Sequence, residues 1–454
     1  MSQENMKLRI VKHDTVNSSR DSDIDTIDTV DALRLASEVG YSLAGDIGAK
    51  AFNELELAYA TRLLPKFSDD PIIRVNQNVL LYWQHGYYKS TILKVFNQTI
   101  PKICKPVDIT SMTLERIFGS IDEKKRHIIE PAFTNNVHFV IISELTTLLG
   151  QRDAMKQIVN TMNVILEREK VTRQILKLGF GEINKDELSE LEAKGVSYDP
   201  IRAELSYTPN ACVLAATRPL DNRYFTYLNK SGHFSRYHVI QHHVTAQEAS
   251  QHLHTEYKLD QEALDQLKRL NSALVRIKVK RMLRPSESLM KPIYVDLEAL
   301  VQDEVKENPR LTFADVVNPR LKDDVIRELV AHAFLGTASQ NGLQDIEELE
   351  YTQEDVNFIL ERLHHFIEFA VDPIIAPGYM RLARGSKKDK VKAAAVEFLS
   401  DGVERHIDEI IKALDPLNVC QATVYNALNE LKREDRITSL RFGYYQIVRR
   451  EENN

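Results

Sequence analysis

Apolar positions lay out the elements of this chain before any chemistry does. From Asp31 to about Leu64 they recur at helical spacing, through Leu33, Leu35 and Val39 and again through Leu55, Leu57, Ala60, Leu63 and Leu64. Pro65 and the Ser68-Asp-Asp-Pro71 cluster stop that pattern. Short continuous apolar runs then alternate with helical stretches. Asn78–Tyr82, Asn136–Ile142 and Ala211–Ala216 read as buried strands and Tyr237–Gln241 as a fourth, while residues 89–98 and 151–168 read as helices. The alternation predicts an α/β domain on a largely parallel sheet. Residues 258–370 carry helical patterns with hardly any strand signal, which predicts a helical subdomain. Asp372-Pro373 and Ala376-Pro-Gly378 break it, and Arg384–Lys390 reads as a linker.

The final segment has its own order. Helices are predicted over 389–400, 406–414 and 421–434, then strands over Ile437–Arg441 and Tyr444–Val448 with Gly443 at the turn. Three helices followed by a hairpin is a winged-helix order. The predicted layout is therefore a polar, flexible lead-in over 1–28, an α/β core over 29–257, a helical lid over 258–383 and a winged helix over 388–450. A chain of 454 residues has ample length for several cores. Its net charge of -7 rules out a basic coat over the whole molecule, so any contact with nucleic acid has to come from local patches. No apolar run is long enough to span a bilayer, and no membrane partner is expected. The first residues are too polar for a secretory signal. Three scattered cysteines make neither a disulfide framework nor a zinc site, and a cytoplasmic location is the default expectation.

Candidate chemistry begins where the first strand ends. Trp83-Gln-His-Gly-Tyr-Tyr-Lys-Ser-Thr91 lies between a strand and a helix, the context in which backbone N–H groups and a helix start face phosphates. Lys89 would reach the β/γ oxygens and Ser90 the Mg²⁺, with Gly86, Tyr87, Tyr88 and Thr91 completing the loop. Trp83 and Tyr88 stand where glycines are usual, and a surface loop with a chance Lys-Ser-Thr is the competing reading. The strand Phe139–Ile142 ends in Ser143-Glu144. A P-loop ATPase places an Asp there for the Mg²⁺ shell and a Glu to orient the attacking water. Glu144 fits the second role, Ser143 replaces the Asp at the metal position, and an exposed strand end is the bland alternative.

Several ordered stretches resemble the ATPase region of MCM helicases, a branch of the AAA+ proteins. Arg168-Glu-Lys-Val-Thr-Arg-Gln-Ile-Leu-Lys-Leu-Gly179 is similar to the stretch that precedes that family's channel β-hairpin, which would fall within 180–208 here. Cys212–Pro219 with Arg223-Tyr224 resembles the sensor strand, aligning Arg218 with the family's Asn. Phe234-Ser-Arg-Tyr-His-Val239 resembles the arginine-finger element, and Arg320–Arg327 with Ala331-His-Ala333 resembles the second-sensor helix. Tyr351-Thr-Gln-Glu-Asp-Val356 resembles the helix start that follows, with Thr352 and Asp355 placed as a capping box. The resemblance covers roughly 40–370. It implies an AAA+ P-loop core with a helical lid and ATP with Mg²⁺ as cofactors. Catalytic roles would fall to Glu144, Arg218, Arg236 and Arg320. It also implies a homo-oligomer, such as a hexameric ring, in which Arg236 acts on the neighbouring subunit's nucleotide.

The function so implied is an ATP-dependent DNA helicase or translocase, with replication or mobile-element proteins as further partners. The non-standard residues Trp83, Tyr88, Ser143 and Arg218 keep a second reading open, a DNA-associated assembly factor that binds nucleotide with little hydrolysis. A third is a structural interaction protein on an inactive scaffold. The family's large N-terminal domain has no counterpart in the roughly 40 residues before the ATPase region. In the winged helix, Gln421, Thr423, Tyr425 and Asn426 are candidate base-reading positions and Arg441 a wing contact. Residues 387–454 hold 12 Lys+Arg and 12 Asp+Glu, so that unit is neutral and a protein contact is equally open. The histidines at 238, 242, 243, 252 and 254 lack a metal-binding spacing and read as polar surface.

Overall fold

The computed structural model describes residues 31–70, 75–110, 112–122, 127–149, 155–175, 185–220, 222–242, 244, 248–250, 254–307, 313–317, 319–368, 387–399, 403–414, 421–433, 436–441 and 444–447. The chain opens on helix α1 (Ala32–Leu63), capped by the Asp31 carboxylate, which accepts from the backbone N–H groups of Leu33 and Arg34. Its helical geometry breaks at Ala44 and Gly45, and the two halves cross there. A Cβ on Gly40 would lie 2.2 Å from the Gly48 carbonyl oxygen, and one on Gly48 2.0 Å from that of Gly40, so only glycine admits this approach.

Strand β1 (Val79–Tyr82) and helix α2 (Lys89–Asn97) follow, then β2 (Val107–Asp108), α3 (Leu114–Phe118) and the hairpin of β3 (Ser120–Asp122) with β4 (His127–Ile129). After them come β5 (Phe139–Ile142), α4 (Leu145–Leu149), α5 (Met155–Leu166) and β6 (Val171–Gln174). Helix α6 (Lys185–Ala193), β7 (Val196–Asp199), β8 (Glu204–Tyr207), β9 (Cys212–Thr217), α7 (Asn222–Lys230) and β10 (His238–Gln241) complete the α/β part. The main sheet is parallel throughout, in the order β10-β1-β9-β5-β2. The strands β1, β5, β9 and β10 are buried along their whole length, as parallel strands covered on both faces are. Val79 and Leu81 join one hydrophobic cluster, Leu80 and Tyr82 the other, following the two-residue period of the strand. A second sheet, antiparallel in the order β6-β8-β7, lies between α5 and β9 in the chain; its β7–β8 hairpin falls inside the 180–208 window.

The connection leaving β1 runs toward the β2 edge, whereas the one leaving β9 crosses β1 to reach β10. The carboxyl ends of neighbouring β1 and β9 therefore form a topological switch point, where open α/β sheets leave a crevice for ligands.

Helices over Gln261–Leu274, Glu287–Glu307, Phe313–Val316, Pro319–Gln340 and Gln353–Leu360 make up the next region. Its buried side chains share one cluster with α1 and one face of the sheet. The nearly strandless reading of 258–370 is corrected by β11 (Val279–Met282) and β12 (Ile346–Leu349), a parallel pair. Both are short and carry charged residues between apolar ends, which masks a strand pattern. Thr352 caps the Gln353–Leu360 helix, with the reciprocal Thr352–Asp355 capping box in place.

Helices Lys387–Phe398, Ile407–Leu414 and Gln421–Arg433 and a three-stranded sheet end the chain. Strand β13 (Arg405–His406) pairs with β15 (Tyr444–Ile447), which pairs with β14 (Ile437–Arg441). Their own core holds Val391, Ile410, Val424, Leu428, Leu431 and Ile437. The first of these helices begins inside the expected linker Arg384–Lys390, of which 384–386 lie outside the described residues. Asp372-Pro373 and Ala376–Gly378 also lie outside them. No described helix is long and apolar enough to cross a membrane.

Candidate functional site

The loop 83–88 leaves β1 at the switch point and ends where α2 starts at Lys89. Two residues turn with positive φ, Gly86 at 90° and Tyr88 at 57°. The second is costly for a bulky residue. The Tyr88 ring packs edge-on against Tyr257, centroids 5.9 Å apart, and this contact helps offset the strain. Trp83 is buried, and its indole N–H donates to the Tyr87 carbonyl at 2.8 Å. The indole thus closes the loop by a side-chain staple where a glycine would have relied on backbone freedom.

Lys89 points back into this loop. Its ammonium donates to the carbonyls of Trp83 at 2.7 Å and Gln84 at 2.6 Å, and sits 5.6 Å from the Trp83 ring centroid. Burial lowers its pKa to about 8, with Glu144 opposing the shift. Ser90 Oγ donates to the Ser143 carbonyl at 2.9 Å, tying the start of α2 to the end of β5. Ser143 N–H in turn donates to Thr110 Oγ1 at 2.7 Å, a partner just past β2 that no sequence signal singles out. Ser143 Oγ is buried and has no hydrogen-bond partner among the described residues. Glu144 Oε1 accepts from the Thr146 N–H at 3.2 Å and from the Thr146 hydroxyl. On the β9 side, Thr217 is opposite Tyr82 and fully buried, and Arg218 beside it is exposed. Lys89, Ser90, Ser143, Glu144 and Arg218 thus meet at one end of the sheet. Tyr87 and Thr91 flank them, with Tyr87 partly buried against the core and Thr91 exposed.

Arg236 and Arg320 are elsewhere, and they are together. Arg236 pairs with Glu167 at 3.0 Å, and Arg320 pairs with the same carboxylate oxygen. Burial, and then the like charge of Arg320, lower the Arg236 pKa. Asn78, at the amino end of β1, fixes this corner: its amide donates to the carbonyls of Arg236 at 3.1 Å and Leu166 at 3.3 Å and accepts from the Val213 N–H at 3.0 Å. The four residues of β1 separate the corner from the loop by roughly 13 Å of strand. The backbone of Arg236 thus lies at the opposite end of β1 from Lys89.

Tyr425 is 43% exposed on its helix, whereas Val424, Leu428 and Leu431 are buried. The side chains of Gln421, Thr423, Asn426 and Arg441 lie outside the described residues, as do those of Arg223 and Tyr224. The polar-surface reading of the histidines is corrected at its first member. His238 is buried and lies between Glu54 and Glu328. His242 is partly exposed and pairs with Glu248 at 3.1 Å; His254 is exposed; His243 and His252 lie outside the described residues. Compared with models of known protein families, the chain matches none, and a comparison with curated proteins likewise finds no match.

Proposed function

We propose that this chain is an MCM-like AAA+ protein. In this reading it binds ATP with Mg²⁺ at the β1–α2 loop and assembles so that Arg236 and Arg320 of one protomer face the nucleotide of the next. It uses that site to drive or gate an action on DNA. The observation that carries the reading is the loop itself. A lysine at a helix start is folded back onto two loop carbonyls at a switch point, with a serine and a glutamate from the neighbouring strand end beside it. The strand order, the lid-like helices over 261–368 and the C-terminal helices and hairpin are compatible with a P-loop core, a lid and a winged helix.

The residues suit phosphoryl chemistry. Three groups favour polyphosphate: the α2 backbone N–H groups, the partial positive charge of the helix start and the Lys89 ammonium. Lys89 exchanges its two carbonyl acceptors for phosphate oxygens, which keeps the ammonium satisfied in both states. Mg²⁺ would supply neutralisation of the phosphate charge when bound. Ser90 and Ser143 are the hydroxyls next to that position, and the unpartnered Ser143 Oγ fits the need for a further oxygen. Glu144, held by Thr146, orients a water and takes its proton. Arg236 and Arg320, paired on Glu167 at the other end of β1, would arrive from a second protomer. Their charge offsets that developing on the γ-phosphoryl oxygens.

A second reading, a nucleotide-gated DNA-associated factor with little turnover, is favoured by two observations. Ser143 offers a hydroxyl where a carboxylate is usual, and Glu144 is already engaged by Thr146. One experiment separates the readings. ATP hydrolysis is measured with and without DNA for the wild type, Lys89→Ala and Glu144→Gln. DNA-stimulated turnover lost in both variants supports the motor. ATP binding without turnover supports the gated factor, and absence of nucleotide binding refutes both.

A further inference from the structure

We propose that Glu54, His238 and Glu328 form a site for one divalent transition-metal cation, foremost Zn²⁺, that pins the lid helices to α1 and the start of β10. The three side chains come from α1, from the first residue of β10 and from the Pro319–Gln340 helix, and all are buried. Their potential ligand atoms lie within 4.8 Å of one another. Glu54 Oε2 is 3.3 Å and Glu328 Oε1 3.4 Å from His238 Nε2.

Two features set this cluster apart from an ordinary buried ion pair. The first is a division of labour between carboxylate oxygens. Glu54 Oε1 and Glu328 Oε2 both face Arg362, the latter at 3.4 Å, while Glu54 Oε2 and Glu328 Oε1 turn inward to His238. An arginine holding the outer oxygens is how supporting partners orient metal-binding carboxylates. The second is a loosely held oxygen: among the described residues, the buried Glu54 Oε2 has His238 Nε2 as its ion-pair partner at 3.3 Å, longer than a good charge-assisted bond. Glu328 Oε1 is held as loosely, 3.4 Å from both Gln77 Nε2 and His238 Nε2.

Spacing agrees. A tetrahedral ion with bonds of about 2.0–2.2 Å holds its ligands about 3.3–3.6 Å apart, which is the spacing from the nitrogen to each of the two oxygens. A charge-assisted N–H···O bond is shorter, about 2.7–2.9 Å. Two carboxylate oxygens and one imidazole nitrogen suit Zn²⁺, and less selectively Mn²⁺ or Co²⁺. The competing occupant of the same space is a proton on His238. Burial disfavours that proton, but Glu328 and Glu54 outweigh burial and hold the imidazole's pKa up at about 9.

The experiment uses the full chain, stripped with a chelator and titrated with Zn²⁺ alone by calorimetry. Co²⁺ titration is followed by visible absorption. One ion per chain, a tetrahedral cobalt spectrum and a higher melting midpoint are expected, with affinity weakened at least ~10²-fold in His238→Gln and Glu328→Gln. Should those variants fail to fold, the cobalt spectrum of the wild type decides by itself. No binding below about 100 µM of Zn²⁺, Mn²⁺ or Co²⁺, or stoichiometric binding that survives both substitutions, overturns the proposal. Neither result depends on nucleotide.

Discussion

Replacing Lys89 by methionine separates a lysine that serves a ligand from one that serves the fold. Methionine keeps the length of the stem and deletes the charge. The folded protein holds the ammonium against a burial penalty that moves its pKa from 10.5 to about 8. With an allowance for solvent at the open face of the loop, that is about 2 kcal/mol at neutral pH. Deleting the charge removes this penalty, but it leaves the Trp83 and Gln84 carbonyls without their donor, about 1 kcal/mol each. The two effects offset each other, so stability to urea should change by no more than about 1 kcal/mol. The nucleotide complex has no such compensation. Losing one ammonium from phosphate oxygens costs about 2–4 kcal/mol, or roughly 30- to 1000-fold in the Kd for Mg-ATP measured by calorimetry. A Lys89→Met variant that is much less stable yet binds Mg-ATP as well as the wild type would refute the argument.

Other outcomes follow from the same geometry. Because Lys89 titrates near 8 and phosphate prefers its charged form, ATP affinity should be flat below that pH. Above it, affinity should fall by up to tenfold per unit, and a pH series of binding isotherms checks this. Glu144→Gln should lower turnover by about 10²- to 10⁴-fold with Kd for Mg-ATP almost unchanged, as read by steady-state hydrolysis and calorimetry. His233 is fully buried, its Nδ1 2.7 Å from Asn163 Oδ1, and burial lowers its pKa from 6.5 to about 3. The unfolded chain binds the proton first on acidification. Stability that is complete above pH 6.5 is therefore lost progressively as pH falls through 3, by roughly 4–5 kcal/mol, and His233→Gln should flatten that slope in urea titrations. Asn78→Leu should cost about 3 kcal/mol, because it strands two buried backbone groups and one partly buried one at the Arg236 corner; equilibrium unfolding measures it.

Much of the α/β part was legible because its strands are covered on both faces and so appear as unbroken apolar runs. Val79–Tyr82, Phe139–Ile142 and Cys212–Thr217 are of this kind. Strands of another kind left no such trace. Val107–Asp108 is two residues long, and the β11–β12 pair sets lysine, arginine and glutamate between its apolar ends. Lys89 and Ser90 could be named from local spacing because loop and helix are contiguous in the chain. Thr110, which receives the Ser143 N–H, and Glu167, which gathers Arg236 and Arg320, could not, since what makes them matter is a partner far away in sequence. His238 is hidden for the same reason. Beside His242 and His243 it looks like one of a polar run, and only the folded chain brings α1 and the Pro319–Gln340 helix against it.

The crossing of the two halves of α1 at Gly40 and Gly48 has a consequence for any attempt to shorten or alter the N-terminal region. Leu35, Ala36, Val39 and Leu43 from the first half sit in the same core as the helices over 261–360. That half is a wedge seated by backbone-to-backbone contact, with the Ala44 methyl beside the crossing and no flexible side chain there to yield. A single methyl at either glycine would force the wedge out rather than merely crowd it. A truncation beginning after the crossing would leave an apolar trough open to water and to other chains, so aggregation should be the first symptom of damage there.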